Sequence, residues 1–148
     1  MLKTCITRTI SLITVLTLLV AILASCGGEF DIEESIAALK AKGLVSQGVL
    51  TTDEELAEIN RMMSSMIRIM GGDFTVTISA YHSLTQGNDR TKCVEFITFA
   101  TQDEASAYAN LYISEDADKR PAKIAQSGRV LISTNLAIVE EVVNLNFL

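Results

Sequence analysis

The 148-residue chain is poor in the side chains on which most catalysis and metal binding depend. It contains no tryptophan, one proline, one histidine and three cysteines. So few thiols and imidazoles provide neither a disulfide framework nor the Cys/His cluster of a zinc site. Internal repeats and low-complexity tracts are also lacking. The composition therefore indicates one ordinary domain without a cofactor.

Basic charge is also scarce. The sequence has 18 acidic residues against 12 basic ones, which gives a formal net charge of −6. Because nucleic acids and anionic lipids attract basic surfaces, the acidic balance argues against a nucleic-acid partner and against broad adhesion to anionic membranes.

Charge is absent from one long segment near the N-terminus. Lys3 and Arg8 form a short basic start, and residues 9–25 carry no charge and are rich in Leu, Ile and Val. The segment closes with the small residues Ala24 and Ser25. A basic start, an apolar centre and a small-residue end are the three parts of a secretory signal.

The end of this segment, Leu23-Ala24-Ser25-Cys26, resembles the lipobox of bacterial lipoproteins. In that family a diacylglyceryl group is attached to the cysteine sulfur, and a dedicated peptidase cuts before it. The resemblance implies that Cys26 is the lipidation site, that residues 1–25 are removed as a signal peptide, and that residues 26–30 form a short tether. Residues 31–148 then form a single domain, in which Cys93 is the one usable thiol.

The alternative is an uncleaved transmembrane helix. Residues 9–28 are 20 uncharged residues, which at ~1.5 Å per residue span roughly 30 Å. The threonines and serines in this segment make it a poor permanent span, and a spanning helix has no need of the lipobox. We therefore expect an extracytoplasmic domain that a lipid holds on the bacterial cell membrane, or on the outer membrane of a host with two membranes.

Removal of the signal changes the charge of the mature chain. Lys3 and Arg8 leave with it, so 10 basic residues face 18 acidic ones and the formal charge changes from −6 to −8. The remaining chain is long enough for one domain with a sizeable core. Lipid, and not charge, is expected to hold it at the membrane.

Three helices are predicted from a capping residue that Glu follows three positions later: Asp31 with Glu34, Thr52 with Glu55, and Thr101 with Glu104. The first is expected to stop at Gly43 and the second near Met70. A fourth helix, capped by Asn135, is predicted for the apolar C-terminal segment, although its valines also tolerate a strand.

Strands are predicted from alternating or short apolar segments at 44–50, 73–84 and 92–100, with a hairpin at 122–133 around Ser127-Gly128. Without the first and last helices, the order is β-α-β-β-α-β, which is the ferredoxin-like split arrangement. The predicted fold class is therefore α+β: a ferredoxin-like antiparallel sheet with an extra N-terminal helix and a C-terminal helix.

One face of the predicted sheet is polar and is the candidate binding face. It comprises Thr75, Thr77, Ser79, Tyr81 and Glu95. If the first and last helices leave it open, it is suited to a ligand or a partner strand. The alternative is that the apolar C-terminal segment covers it.

No catalytic constellation is evident. Eight of the 18 acidic residues lie in predicted first helical turns, where carboxylates cap free N–H groups; metal binding by these acids is therefore not expected. One predicted helix carries four methionines: Met62, Met63, Met66 and Met70. Met63, Met66 and Met70 fall on its apolar stripe, so packing in the core is expected, with a copper site or a promiscuous binding groove as the alternatives.

The sequence thus favours a non-catalytic module that binds a ligand or an envelope protein. One alternative is a lipid-anchored hydrolase or redox enzyme that uses His82 or Cys93 and requires both in one concave site. Another is a structural envelope component that assembles through a free sheet edge.

Overall fold

A computed structural model of the protein describes residues 30–114 and 122–148. The predicted signal peptide, Cys26 and most of the tether lie outside the described residues. In chain order the elements are α1 (Ile32–Ala41), β1 (Leu44–Leu50), α2 (Asp53–Ile69), β2 (Ile78–Gln86), β3 (Asp89–Phe99), α3 (Gln102–Ser114), β4 (Lys123–Ser127), β5 (Val130–Thr134) and α4 (Ala137–Val143). No helix in these two ranges is long and apolar enough to cross a membrane.

The five strands form one antiparallel sheet in the order β1-β2-β3-β5-β4, with β3 in the middle. The α+β class is confirmed. The ferredoxin-like topology is not confirmed, because β1 and β2 are antiparallel neighbours, whereas a split βαβ unit places its two strands parallel with a third between them. The order of elements along the chain fits both topologies, since it does not fix which strands pair.

Helices cover both faces of the sheet. On one face, α2 and α3 bury an apolar cluster that includes Ile67, Phe99 and Tyr108. On the other, α1 and α4 bury a second cluster that includes Leu39 and Phe96. The C-terminal segment is thus a helix over the second face, and the domain has three layers.

The three predicted helix starts are confirmed. The Asp31 carboxylate accepts a hydrogen bond from the Glu34 N–H at 2.9 Å. Thr52 with Glu55 and Thr101 with Glu104 form reciprocal capping boxes. Each of these contacts joins residues three positions apart, so the local sequence is enough to predict it.

The predicted cap of the last helix is wrong. Leu136 occupies the N-cap position without a side-chain hydrogen bond. Asn135 instead contacts β3, where its Oδ1 accepts from the Cys93 N–H at 3.1 Å and its Nδ2 donates to the Thr91 carbonyl at 2.5 Å. Its amide therefore fastens the end of β5 to the beginning of β3.

Gly72 lies where a larger side chain would collide with two walls of the core. A Cβ there would lie 2.7 Å from Cγ2 of Ile67 and 2.8 Å from Cδ2 of Leu111. We expect Gly72→Ala to lower the free energy of unfolding by about 1–3 kcal/mol in urea denaturation, because the core would have to shift. Gly48→Ala is the matched control, since its Cβ would meet only Ser83 Oγ at 3.6 Å. Equal stability of the two variants would contradict the prediction.

Candidate ligand-binding cleft

A carboxylate occupies the middle strand of the sheet on a face that helices cover. Along β3, Val94 and Phe96 point to the α1/α4 side, so Glu95 points with Ile97 to the α2/α3 side. Ser83 on β2 and Ser133 on β5 lie directly opposite Glu95. An apolar residue is expected at such a position, because a charge removed from water is costly unless it is compensated. Packing alone therefore does not explain Glu95.

Tyr81 is the hydrogen-bond partner of this carboxylate. It lies on β2 opposite Ile97, which makes it a diagonal neighbour of Glu95 on the same face. Its hydroxyl donates to Glu95 Oε1 at 2.5 Å. Burial, followed by the bond to Glu95 and the charge of Glu95, raises the pKa of Tyr81 well above its usual value. The hydroxyl therefore keeps its proton and remains a donor at neutral pH.

The pair lies in a cleft of about 320 Å³ between the sheet and helices α2 and α3. Its floor includes Tyr81, Cys93, Glu95 and Ser133, and its walls are mostly aromatic or apolar, among them Ile59, Met62, Met63, Met66, Tyr108 and Tyr112. Met62 and Met66 are 50% and 40% exposed, so they lie at the rim. An apolar cleft with a few convergent polar groups is typical of small-molecule sites, and this volume is at the lower end of their range.

A larger hollow of about 860 Å³ lies beside Phe30, where the described chain begins. Its lining comes from the start of α1 and from the loops around Thr101 and Arg129. We place the candidate site in the smaller cleft because that cleft holds the paired Tyr81 and Glu95.

The negative charge of Glu95 acts on other groups of the cleft. The pKa of Tyr108 is raised to about 12. Burial is the largest cause, and the charges of Tyr112 and Glu95 raise this pKa further. Burial and then Glu95 raise the pKa of the Cys93 thiol. The ion pairs among the described residues lie elsewhere, at Glu58, Asp89 and Glu140. Within residues 30–114 and 122–148, no cation pairs with Glu95.

The structure brings together two of the five residues of the predicted binding face. Tyr81 and Glu95 meet, but Thr75 and Thr77 are exposed and lie before β2 begins. Ser79 lies at a register shift, and its hydroxyl donates to the Thr98 carbonyl at 3.2 Å. The predicted alternation over 73–84 fails there because the extra residue interrupts the period of two. The five residues therefore do not form one continuous face.

The two alternative catalytic residues lie on opposite faces. His82 is opposite Phe96 and so points to the α1/α4 side, whereas Cys93 lines the cleft. Burial lowers the pKa of His82 and raises that of Cys93. The single concave site that the enzyme alternative requires is not formed.

Several residues of the cleft were not predicted as site residues. Tyr108 and Tyr112 lie on α3 and are buried against the sheet, but the sequence did not show that they line the same cleft as Glu95. Met66 was expected in the core and lies at the rim instead. The buried face of α2 is narrower than the spacing of its apolar residues indicated. A carboxylate inside an otherwise apolar strand was the one signal in the sequence.

No protein-family model, curated protein or solved structure matches this chain significantly. The function of the domain must therefore follow from the chemistry of its own residues.

The tyrosines of the cleft predict a loss of stability in alkaline solution. Their folded-state pKa values lie above the unfolded value of about 10, so the folded chain holds these protons more tightly. That contribution is complete below pH ~10 and is lost as the pH rises towards about 12, the value for Tyr108. We expect the free energy of unfolding to fall less steeply over this interval in Tyr81→Phe than in the wild type. Parallel curves from urea denaturation would contradict the raised pKa of Tyr81.

Proposed function

We propose that this chain is a bacterial lipoprotein, anchored to the membrane through Cys26, whose extracytoplasmic domain binds a small ligand without catalysis. The observation that carries the binding function is the position of Glu95. It lies on the middle strand of a covered sheet face, at the floor of a cleft that it shares with Tyr81. Positions that break the local rules of packing are expected to be functional or strained sites.

The chemistry of the cleft supports binding over catalysis. The raised pKa values of Tyr81 and Cys93 keep both groups protonated at neutral pH, so neither is ready to act as a base or nucleophile. Within the two described ranges, no group of three His, Cys, Asp or Glu side chains is placed to hold a metal ion.

The proposed anchor is compatible with access to the cleft. The ring of Phe30 stacks on Phe96 with 6.3 Å between centroids, on the α1/α4 side of the sheet. Cys26 precedes Phe30 by four residues, a reach of roughly 14 Å at full extension. A lipid on Cys26 would therefore hold the α1/α4 side near the bilayer and leave the cleft, on the other face, towards solvent.

The binding function is tested by filling the cleft. Ser133 lines it, and the side chain of Ser133→Phe would occupy part of its volume. We expect a library of small apolar compounds to raise the melting temperature of the full chain in lipid nanodiscs, and Ser133→Phe to abolish these shifts. Ser46→Phe is the matched control, because Ser46 is exposed on the edge strand β1. Equal responses of the two variants would overturn the proposal.

A further inference from the structure

We propose that the ligand of the Tyr81–Glu95 cleft is a small primary ammonium compound with an apolar body. Its ammonium group would bind the Glu95 carboxylate, and its body would lie between the tyrosines of α3 and the methionines of α2. This inference rests on the proposed binding function and names the chemical class that the cleft selects.

No cation among residues 30–114 and 122–148 balances the charge of Glu95. Tyr81 satisfies Oε1, and no hydrogen bond from residues 30–114 or 122–148 reaches Oε2. Tyr81 and Glu95 are both half-buried, so water only partly solvates the carboxylate. A cation from the ligand would restore the charge balance, and hydrogen bonds that involve an ionised group are the stronger kind.

The acceptors of the cleft match the donors of an ammonium group. An ammonium group has three N–H donors and no acceptor. Glu95 Oε2 supplies one acceptor, and the Ser133 hydroxyl, directly across on β5, lines the same cleft. A calcium ion is a poorer fit, since it takes six to eight oxygens and the cleft offers one carboxylate.

The aromatic and methionine side chains of the cleft suit the apolar body of the proposed ligand. The rings of Tyr108 and Tyr112 are stacked with 6.4 Å between centroids and line the cleft. Their faces attract a cation and bury apolar groups beside it. Met62 and Met66 at the rim have flexible side chains that adapt to the shape of a ligand. The cleft is thus mostly apolar, with polar groups at Glu95 and Ser133 and at one end, where Thr91, Thr134 and Asn135 line it.

The test is a titration of the full chain in zwitterionic lipid nanodiscs with three compounds of one shape. They are 2-phenylethylammonium, 2-phenylethanol and 3-phenylpropanoate, which carry charges of +1, 0 and −1. The affinities are measured by isothermal titration calorimetry. A parallel titration of empty nanodiscs corrects for partition of the compounds into the lipid. We expect the ammonium compound to bind at least tenfold more tightly than the alcohol, and the carboxylate not to bind.

Two variants assign the effect to Glu95. Glu95→Gln keeps the shape of the side chain and removes its charge. It is therefore expected to lower the affinity for the ammonium compound at least tenfold. Glu141→Gln makes the same change at an exposed position on α4 and is expected to leave the affinity unchanged. If Glu95→Gln does not fold, Tyr81→Phe is used instead. It frees Oε1 for the ammonium group, so the ammonium compound is expected to bind this variant more tightly than the wild type, and equal or weaker binding would overturn the ligand class.

The outcomes separate the two proposals. Equal affinities for the ammonium compound and the alcohol, or an unchanged affinity in Glu95→Gln, would overturn the ligand class and leave the binding function standing. Failure of all three compounds to bind, together with no shift in the library screen, would overturn both. Lys119 and Arg120 lie outside the described residues, and their replacement by Gln is expected to leave the affinity unchanged. A tenfold gain in affinity for the ammonium compound in these variants would mean that Lys119 or Arg120 already supplies the cation for Glu95. That result would also overturn the ligand class.

Discussion

Replacing Cys26 with Ala is expected to abolish both lipid attachment and cleavage before residue 26. In bacterial lipoproteins the lipid is attached through the cysteine sulfur, and a dedicated peptidase then cuts before that residue. Two acyl chains give stable anchoring, since each buried CH₂ contributes ~0.8 kcal/mol. The intact mass of the wild type from membranes should equal residues 26–148 plus two or three acyl chains. Cys26→Ala should carry no acyl mass.

Cys93→Ala provides the control for this measurement. Cys93 is the free cysteine of the described domain and lines the cleft, so its removal should leave the acylated mass intact apart from the substitution. A full-length, unmodified mass in both the wild type and Cys26→Ala would instead identify residues 9–28 as a transmembrane helix. The proposed lipid anchor and its short tether would then be wrong.

Local features of the fold were predictable and long-range pairing was not. The caps at Asp31, Thr52 and Thr101 depend on residues three positions away, so the sequence predicted them correctly. The pairing of β1 with β2 joins segments about 30 residues apart. Apolar alternation shows that each segment is a strand, but it does not show which strand lies beside it. The ferredoxin-like topology was wrongly favoured for this reason.

The candidate site was predictable only in part. Tyr81 and Glu95 were placed on one face, and the structure pairs them. The sequence left undecided whether that face is open or covered by the C-terminal segment; α2 and α3 cover it instead and leave a cleft. A one-residue shift between Ile78 and Ala80 separates Thr75 and Thr77 from the pair, and the sequence carries no visible signal for that shift.

Phe96→Ala is expected to lower the free energy of unfolding by about 3–5 kcal/mol. Phe96 lies on the middle strand with no exposed surface, and its ring stacks on Phe30. The substitution leaves a cavity between the sheet and helices α1 and α4 that neighbouring side chains fill only partly. A loss of this size is a large share of the 5–15 kcal/mol that stabilises most domains, so urea denaturation should detect it clearly.

Phe147→Ala is the matched control, because Phe147 is only partly buried at the edge of the same cluster and should lose much less stability. Phe96 and the cleft lie on opposite faces of the sheet. The folded fraction of Phe96→Ala should therefore bind 2-phenylethylammonium with wild-type affinity, whereas Glu95→Gln should keep most of its stability and lose binding. A Phe96→Ala variant that loses less than about 1 kcal/mol would show that the α1/α4 layer contributes little to the core. Loss of binding in its folded fraction would show that the two faces are not independent.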